Sequence, residues 1–150
     1  MESSESFVVT LTDWIEIFMR RSMRNFILYA KQNGYSLTQI AVLFLIHHKG
    51  TSSVSDIGDE LEITNPAASQ MLERLVQLQL IQRVENPHDR RFKQIALTDK
   101  GHQVLQESIN ARQSWFGDLA RALSDSEKGQ IATALNIMID TTNRLNPNPD

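Results

Sequence analysis

The sequence contains no cysteine. This absence excludes disulfide bonds, thiolate-bound metals, iron–sulfur clusters and any redox sensor that depends on cysteine oxidation. Long hydrophobic runs are also missing, because the longest, Ile40 to Ile46, is far shorter than the ~20 residues of a membrane-spanning helix. The chain begins with MESSES, which is acidic and polar, unlike a secretory signal. We therefore expect a cytoplasmic protein with no membrane partner, and its 150 residues suit a single domain, 1–150.

An excess of positive charge is lacking too, since the formal net charge is −3 at pH 7. The charge is nevertheless segregated along the chain. The segment 83–93 carries four basic residues, two acidic residues and His88, whereas the segment 54–63 carries four acidic residues and no basic one. Local charge decides whether a polyanion can bind, so the overall sign does not exclude a nucleic-acid partner.

Proline and glycine are scarce, and they stand where helices are expected to start or stop. Gly34 ends the first predicted helix, and the segments 36–39 and 124–127 have the form of capping boxes. Asn65 before Pro66 suits an N-cap followed by the first helical position. The predicted order is α-α-α-α-β-β-α-α, with helices at about 7–31, 37–48, 54–61 and 66–79, strands at 81–85 and 93–97, and helices at about 99–123 and from 125 onward.

The fourth predicted helix has two unlike faces when its residues are placed at ~100° intervals. One face is mainly apolar, the other is polar, and two small residues lie on the flanks. The mainly apolar face comprises Ala68, Met71, Leu72, Leu75 and Gln79. The polar face comprises Gln70, Glu73, Arg74 and Gln77, and the flanking residues are Ala67 and Ser69. Outward amide, hydroxyl and guanidinium groups suit base edges and phosphates in a DNA major groove. Taken alone, the pattern also fits an ordinary amphipathic surface helix.

Between the two predicted strands, His88, Asp89, Arg90 and Arg91 stand at the tip of a hairpin. Neighbouring like charges repel each other, which favours a loop that meets a polyanion. Asp89 precedes Arg91 by two residues and can hold its guanidinium in one direction, which suits insertion into a narrow minor groove. The alternative is a solvated turn with a surface ion pair worth ~0–1 kcal/mol. A helix, a turn, a second helix and a basic hairpin in series favour DNA binding.

The run 86–101, NPHDRRFKQIALTDKG, resembles the wing signature of the MarR family of bacterial transcription regulators, which is D-x-R and then an apolar-x-Leu-Thr-x-x-Gly ending. The matching residues are Asp89, Arg91, Ile95, Leu97, Thr98 and Gly101. The segment 63–83 resembles the recognition helix and following strand of that family, and it reads ITNPAASQMLERLVQLQLIQR. The resemblance covers about residues 7–142. It implies a mainly α fold with a small β-wing, in which 36–98 form a winged helix-turn-helix and 7–33 and 99–145 are dimerisation helices that interlock in a homodimer.

The same resemblance implies a regulator, more often a repressor, that binds a near-palindromic operator in double-stranded DNA as a homodimer. Arg91 would enter the minor groove with Asp89 as its orienting partner, and Arg90 and Lys93 would contact phosphates. Further DNA contacts are predicted for Asn65, Pro66, Ala67, Ser69, Gln70, Arg74 and His88. Many relatives carry Arg where this chain has Gln70. Gln cannot form the bidentate hydrogen bonds that Arg forms with guanine, so the sequence leaves the operator preference open.

Apolar residues near both ends of the chain exceed what one small winged module can cover, which supports the dimer independently. They are Phe7, Trp14, Phe18, Val104, Leu105, Ile109, Trp115, Phe116, Leu119, Ile131, Leu135 and Met138.

The family often binds small amphipathic effectors, frequently aromatic carboxylates, in a cleft between the dimer helices and the winged module. By this resemblance, the predicted pocket residues are Trp14, Phe18, Met19, Phe44 and His47. Aromatic and methionine residues at helical spacing are also common in an ordinary core. We expect no cofactor.

Catalytic and metal sites are not indicated. His47 and His48 are adjacent, so on a helix they diverge by ~100° and do not easily share one ion. The sequence has no glycine-rich phosphate loop, no G-x-S-x-G and no H-E-x-x-H motif. We predict that the chain is not an enzyme and binds no metal. Two alternatives to a DNA-binding regulator remain. One is a winged-helix module used only for protein assembly, and the other is a small-molecule-binding protein or enzyme.

Overall fold

The structure is a computed structural model, which describes residues 4–91 and 93–145. These residues form α1 (Ser4–Asn33), α2 (Leu37–Lys49), α3 (Val54–Glu60), α4 (Asn65–Gln77), β1 (Ile81–Glu85), β2 (Lys93–Leu97), α5 (Asp99–Gln113), α6 (Phe116–Ala122) and α7 (Asp125–Leu145). They fall into two compact units, one that ends at Gln113 and one that begins at Ser114. Both ends of the predicted single domain, 1–3 and 146–150, and Phe92 lie outside the described residues.

The predicted fold class, mainly α with a small β-wing, is confirmed, and both strands have the predicted bounds. One element was predicted wrongly. The helix expected at 99–123 is two helices, because α5 ends at Gln113 and α6 begins at Phe116. The break places Trp115 in a buried position, with 7% of its surface exposed. Burial of a large aromatic side chain can outweigh the local helical preference, and a periodic pattern does not show this.

The core of the first unit is built around α2, which starts with the predicted capping box. Ser36 Oγ accepts from the Gln39 backbone at 3.0 Å, and Gln39 Oε1 accepts from the Ser36 backbone at 2.9 Å. The core comprises Val42, Leu43, Ile46, Ile57, Leu72, Leu75, Leu80, Ile81, Ile95, Leu97, Val104 and Leu105. Val104 and Leu105, like Trp115, are therefore covered within their own chain, so the prediction that counted these three among surplus apolar residues was wrong.

Helix α1 packs against α5 near its C-terminal end. The Tyr29 hydroxyl bonds with Glu107 Oε2 at 3.0 Å and with the Val104 carbonyl at 3.3 Å. Burial, together with the Glu107 carboxylate, raises the pKa of Tyr29 well above its usual value. Gly34, with a φ of 72°, follows the end of the helix as predicted. Elsewhere α1 leaves large apolar side chains exposed, among them Trp14, Ile15, Met19, Met23 and Ile27.

The wing is a two-stranded antiparallel sheet in which Ile81 lies opposite Leu97 and Glu85 opposite Lys93. One residue between α2 and α3 extends it. The backbone of Ser52 donates to the Ile95 carbonyl at 3.0 Å and accepts from the Ile95 amide at 2.7 Å. A single paired residue shows no alternation in the sequence, which explains why this contact was not predicted.

The second unit contains α6 and α7. The predicted capping box at the start of α7 is confirmed, since Ser124 Oγ accepts from the Glu127 backbone at 3.3 Å and Glu127 Oε2 accepts from the Ser124 backbone at 2.8 Å. Helix α7 leaves Ile131, Leu135 and Ile139 exposed. In the part of the chain that the structure describes, every helix is too short or too polar to cross a membrane.

Candidate nucleic-acid interface

The helix-turn-helix is formed by α3, a tight turn and α4. A Cβ atom on Gly58 would lie 3.1 Å from Asn65 Oδ1 and 3.2 Å from the Ile63 carbonyl oxygen, so only glycine fits this close approach easily. Glu62 takes up a φ of 54° within the turn. At the start of α3, hydrogen bonds from Ser53 hold the pKa of Asp56 below its usual value. The turn therefore holds the start of α4 close against α3.

The N-cap of α4 is Thr64, so the prediction of Asn65 was wrong. Thr64 has an extended backbone, and its Oγ1 accepts from the Ala67 amide at 3.3 Å. Asn65 is the first helical residue and Pro66 the second. Pro66 is tolerated there because the amides of the first turn have no partner within the helix.

The two faces of α4 are largely as predicted. Ala68, Leu72 and Leu75 are buried, whereas the outward polar residues are exposed. Gln79 was assigned wrongly to the apolar side. The helix ends at Gln77, and Gln79 is exposed with a φ of 60°. A left-handed residue after the last helical turn is a common helix ending, although glycine is the usual residue there.

All six predicted DNA contacts on α4 are exposed: Asn65, Pro66, Ala67, Ser69, Gln70 and Arg74. Of the five predicted contacts in the wing, Asp89 is half-buried and the other four are exposed, namely His88, Arg90, Arg91 and Lys93. Their roles as DNA contacts stay predictions.

The wing tip is ordered by two acceptor side chains. Asn86 Oδ1 accepts from the His88 amide at 2.9 Å. Asp89 accepts from Arg91 three times: from the backbone amide at 3.0 Å, from Nε at 3.1 Å and from Nη2 at 3.0 Å. These bonds lower the pKa of the Asp89 carboxyl group and raise that of the Arg91 guanidinium. The Arg91 side chain is nevertheless 86% exposed. The predicted pairing of the two side chains is present, and it leaves most of the guanidinium accessible.

Two further ion pairs border these residues and were not predicted. Arg83 Nη2 on β1 lies 3.2 Å from Glu73 Oε2 on α4, and Arg90 Nε lies 3.9 Å from Glu85 Oε2. On α4 itself, Arg74 Nη1 donates to Gln77 Oε1 at 3.3 Å. The Glu73–Arg83 pair joins the outward face of α4 to the first strand of the wing. The sequence does not show which acid Arg83 meets, because the pair joins residues ten positions apart.

A cavity of about 260 Å³ lies in the first unit, lined by Phe18, Met19, Ser22, Met23, Arg112 and Gln113. The Arg112 guanidinium carbon lies 5.3 Å from the ring centre of Phe26 and 4.8 Å from that of Phe44. The fold thus brings Phe18 and Met19 of the predicted pocket into one cavity and Phe44 onto the arginine that lines it. Trp14 and His47 are not among the lining residues. Sequence reasoning missed Arg112, which has no motif around it.

The histidines do not form a metal cluster. The rings of His47 and His102 meet edge to face with centres 5.6 Å apart. Within residues 4–91 and 93–145, no group of three or more His, Cys, Asp or Glu side chains could hold a metal ion.

The family comparison agrees with this geometry. The family model described as "MarR family" matches residues 33–91, which include α2, the helix-turn-helix and most of the wing. The HTH-type transcriptional regulator BilQ of Clostridioides difficile (strain CD3) is 29% identical over 121 residues, 78% of this chain and 82% of that protein. The HTH-type transcriptional repressor MdtR of Bacillus subtilis (strain 168) is 30% identical over 102 residues, 68% of this chain and 66% of that protein.

The chain belongs to the MarR family. Solved MarR-type structures share its fold. The transcriptional regulator Tm0710 from Thermotoga maritima superposes with a TM-score of 0.81 at 17% identity, over 97% of this chain and 100% of that one. A mutant MarR from E. coli complexed with operator DNA gives a TM-score of 0.55 at 20% identity, over 91% of this chain and 99% of that one. MarR proteins are winged helix-turn-helix transcription regulators, a class of proteins distinct from enzymes.

Proposed function

We propose that this MarR-family chain binds double-stranded DNA sequence-specifically as a homodimer, recognises a near-palindromic operator and acts as a repressor. The observation that carries the proposal is the pairing at the wing, where Asp89 fixes a guanidinium that is 86% exposed. A fixed, exposed arginine suits a narrow minor groove, while the outward amides of α4 suit the edges of bases. The operator complex of the E. coli MarR mutant and the repressor name of MdtR support the same assignment.

The homodimer is supported by exposed apolar residues in each unit. On α1, Trp14 and Ile15 are 40% and 48% exposed, and on α7, Ile131 and Leu135 are each 44% exposed. Clusters of large apolar side chains at a protein surface usually mark an interface. A second copy of the chain would cover these faces and would place a second recognition helix about one DNA turn from the first.

Release by a small-molecule effector is the finer part of the proposal. Arg112 lines the cavity beside Phe18 and Met19, and among the described residues it has ring contacts but no carboxylate partner. A guanidinium without an anion beside an apolar wall suits an aromatic or amphipathic carboxylate. The predicted pocket also included Trp14, Phe44 and His47, and their roles stay predictions.

Selection of duplexes from a random pool tests the DNA-binding part, using the full chain at low salt. We expect enrichment of a near-palindromic site. Gln70→Ala should change the preference at one base pair in each half-site, while Arg91→Ala should weaken binding to all sequences or to A·T-flanked sites. Arg121→Ala is the matched control for Arg91→Ala, since Arg121 is also an exposed arginine paired with an aspartate, Asp118, but it lies in the second unit.

Failure to enrich any duplex would contradict the proposal and would favour the protein-assembly alternative. Enrichment that neither Gln70→Ala nor Arg91→Ala alters would show that DNA binds through a different surface.

A further inference from the structure

The C-terminal end of α4 is held by the beginning of α5. Three consecutive carbonyls follow the helix, and each accepts a hydrogen bond from this region. Lys100 Nζ donates to the Leu78 carbonyl at 2.9 Å, Thr98 Oγ1 to that of Gln79 at 2.6 Å, and the Thr98 amide to that of Leu80 at 3.1 Å. Gln79 has a φ of 60°, which is unfavourable for a residue with a Cβ atom. This turn therefore depends on the contacts made around it.

The backbone of α5 lies directly against the same turn. A Cβ atom on Gly101 would be 2.0 Å from the Leu80 carbonyl oxygen, so no other residue fits without displacement of the backbone. The Gly101 amide also donates to Thr98 Oγ1 at 3.0 Å. Thr98 and Gly101 are thus part of the packing between α4 and α5, which gives a structural reason for this part of the wing signature.

Lys100 differs from both residues. It is exposed, it occupies a position that the signature leaves open, and it reaches the turn only through its ammonium group. A cation at the C-terminal end of a helix also interacts favourably with the helix dipole. Loss of this side chain would therefore remove one tie between α4 and α5 and leave the core intact.

We propose that Lys100 is a positioning residue for operator recognition, which fixes the orientation of α4 relative to α5 by its bond to the Leu78 carbonyl. The inference rests on the proposed function, because in a DNA-bound homodimer this orientation helps to set the separation of the two recognition helices. Lys100 acts through α4 and makes no contact with DNA.

The test compares Lys100→Met with the unaltered chain on operators whose half-sites are moved closer or further apart by one base pair. We expect the variant to lose roughly three- to tenfold in affinity at the best spacing and correspondingly less at the other spacings, so that the spacing preference flattens. Lys100→Arg should restore the preference. Lys31→Ala, which removes one exposed positive charge from α1, is the control and should leave the preference unchanged.

Salt dependence separates positioning from a phosphate contact. If Lys100 touches a phosphate, the variant will lose affinity equally at all spacings, and the slope of log affinity against log salt will fall by about 0.9 for each contact. That result would overturn the inference. We expect the slope to stay unchanged.

Hydrogen exchange tests the bond between Lys100 and the Leu78 carbonyl in the absence of DNA. The Gln79 and Leu80 amides bond to the carbonyls of Val76 and Leu75 at 2.8 and 3.0 Å. Lys100→Met should speed their exchange while the amides of α2 keep their rates. Unchanged exchange at both amides, or faster exchange throughout the chain, would overturn the inference. If the unaltered chain binds no duplex, the proposed function fails, and the exchange data still decide whether Lys100 holds the end of α4.

Discussion

Asp89 holds the Arg91 side chain from two directions: Nε donates to Oδ1 at 3.1 Å and Nη2 donates to Oδ2 at 3.0 Å. A bidentate pair between planar groups fixes orientation as well as distance. The guanidinium at the wing tip is thereby directed before any DNA arrives. If Arg91 enters the minor groove as proposed, this arrangement reduces the side-chain entropy that DNA binding must remove.

Asp89→Asn should weaken operator binding, even though it removes a negative charge from the loop that we propose to contact DNA. The amide cannot reproduce the charged pair, so Arg91 would lose its fixed direction, and affinity should fall roughly three- to tenfold. Fluorescence anisotropy with the selected operator measures the change. Tighter binding by the variant would mean that Asp89 only repels DNA and does not position Arg91.

The Asp89 carboxyl group should titrate below the usual range of aspartate. Hydrogen bonds from Arg91 lower its pKa in the folded chain, so the pair is present above the ordinary value of about 3.9 and is lost as the pH falls through the lowered value. Carboxyl-carbon NMR of the full chain measures the midpoint. It should rise towards the ordinary value in Arg91→Ala. An ordinary midpoint in the unaltered protein would rule out the pair in solution.

Gly101→Ala and Gly129→Ala should have opposite effects on stability. The first places a Cβ atom 2.0 Å from the Leu80 carbonyl oxygen, whereas a Cβ on Gly129 in α7 meets no atom within 4 Å. We expect Gly101→Ala to lower the free energy of unfolding by about 2–3 kcal/mol or more. Gly129→Ala should raise it by about 0.5–1 kcal/mol, because alanine favours the helix. Urea denaturation measures both, and a neutral Gly101→Ala would disprove the close packing of α5 on the Leu80 carbonyl.

Leu135→Glu should dissociate the proposed dimer, whereas Ile137→Glu should not. Leu135 lies near Ile131 and Ile139 on α7, while the helical repeat places Ile137 on the other side with Thr133 and Arg144. Ile137 is the more exposed of the two, at 62% against 44%, so exposure alone predicts the opposite order. Light scattering after size-exclusion chromatography gives the masses. A monomeric unaltered chain, or equal dissociation by both changes, would contradict this interface.

Arg112→Gln should reduce the affinity of the cavity for aromatic carboxylates. The charged hydrogen bond to a carboxylate is lost, so benzoate and 2-naphthoate should bind about tenfold or more weakly, while neutral benzamide should be little affected. Calorimetry with the full chain measures the affinities. Arg24→Gln, an exposed arginine on α1, serves as the control. Equal carboxylate binding by both variants would show that Arg112 does not recognise the anion.

Local sequence rules predicted the elements around the site well where the signal is itself local. The capping box at Ser36 and both strand ranges are confirmed, and the pairing of Asp89 with Arg91 is present in the wing. The capping box and the ion pair depend on residues a few positions apart, and β2 on alternation within one short strand. β1 alternates poorly and was predicted from its context. The MarR resemblance also depended on such a run, and the family is confirmed.

Errors and omissions arose where distant residues decide the structure. Burial of Trp115 accompanies a break in a helix that looked continuous. Lys100 bonds to a carbonyl 22 positions away, and Arg112 on α5 meets rings on α1 and α2. The choice between Thr64 and Asn65 as N-cap was a different difficulty, since both residue types suit that position.

Titration of the selected operator with the full chain tests the central claim most directly. Native mass spectrometry gives the number of chains on each duplex, and fluorescence anisotropy gives the affinity across a series of salt concentrations. The account predicts two chains on each duplex and an affinity whose logarithm falls linearly with the logarithm of salt concentration. Absence of binding at about 50 mM salt, or a complex with a single chain on each duplex, would contradict it.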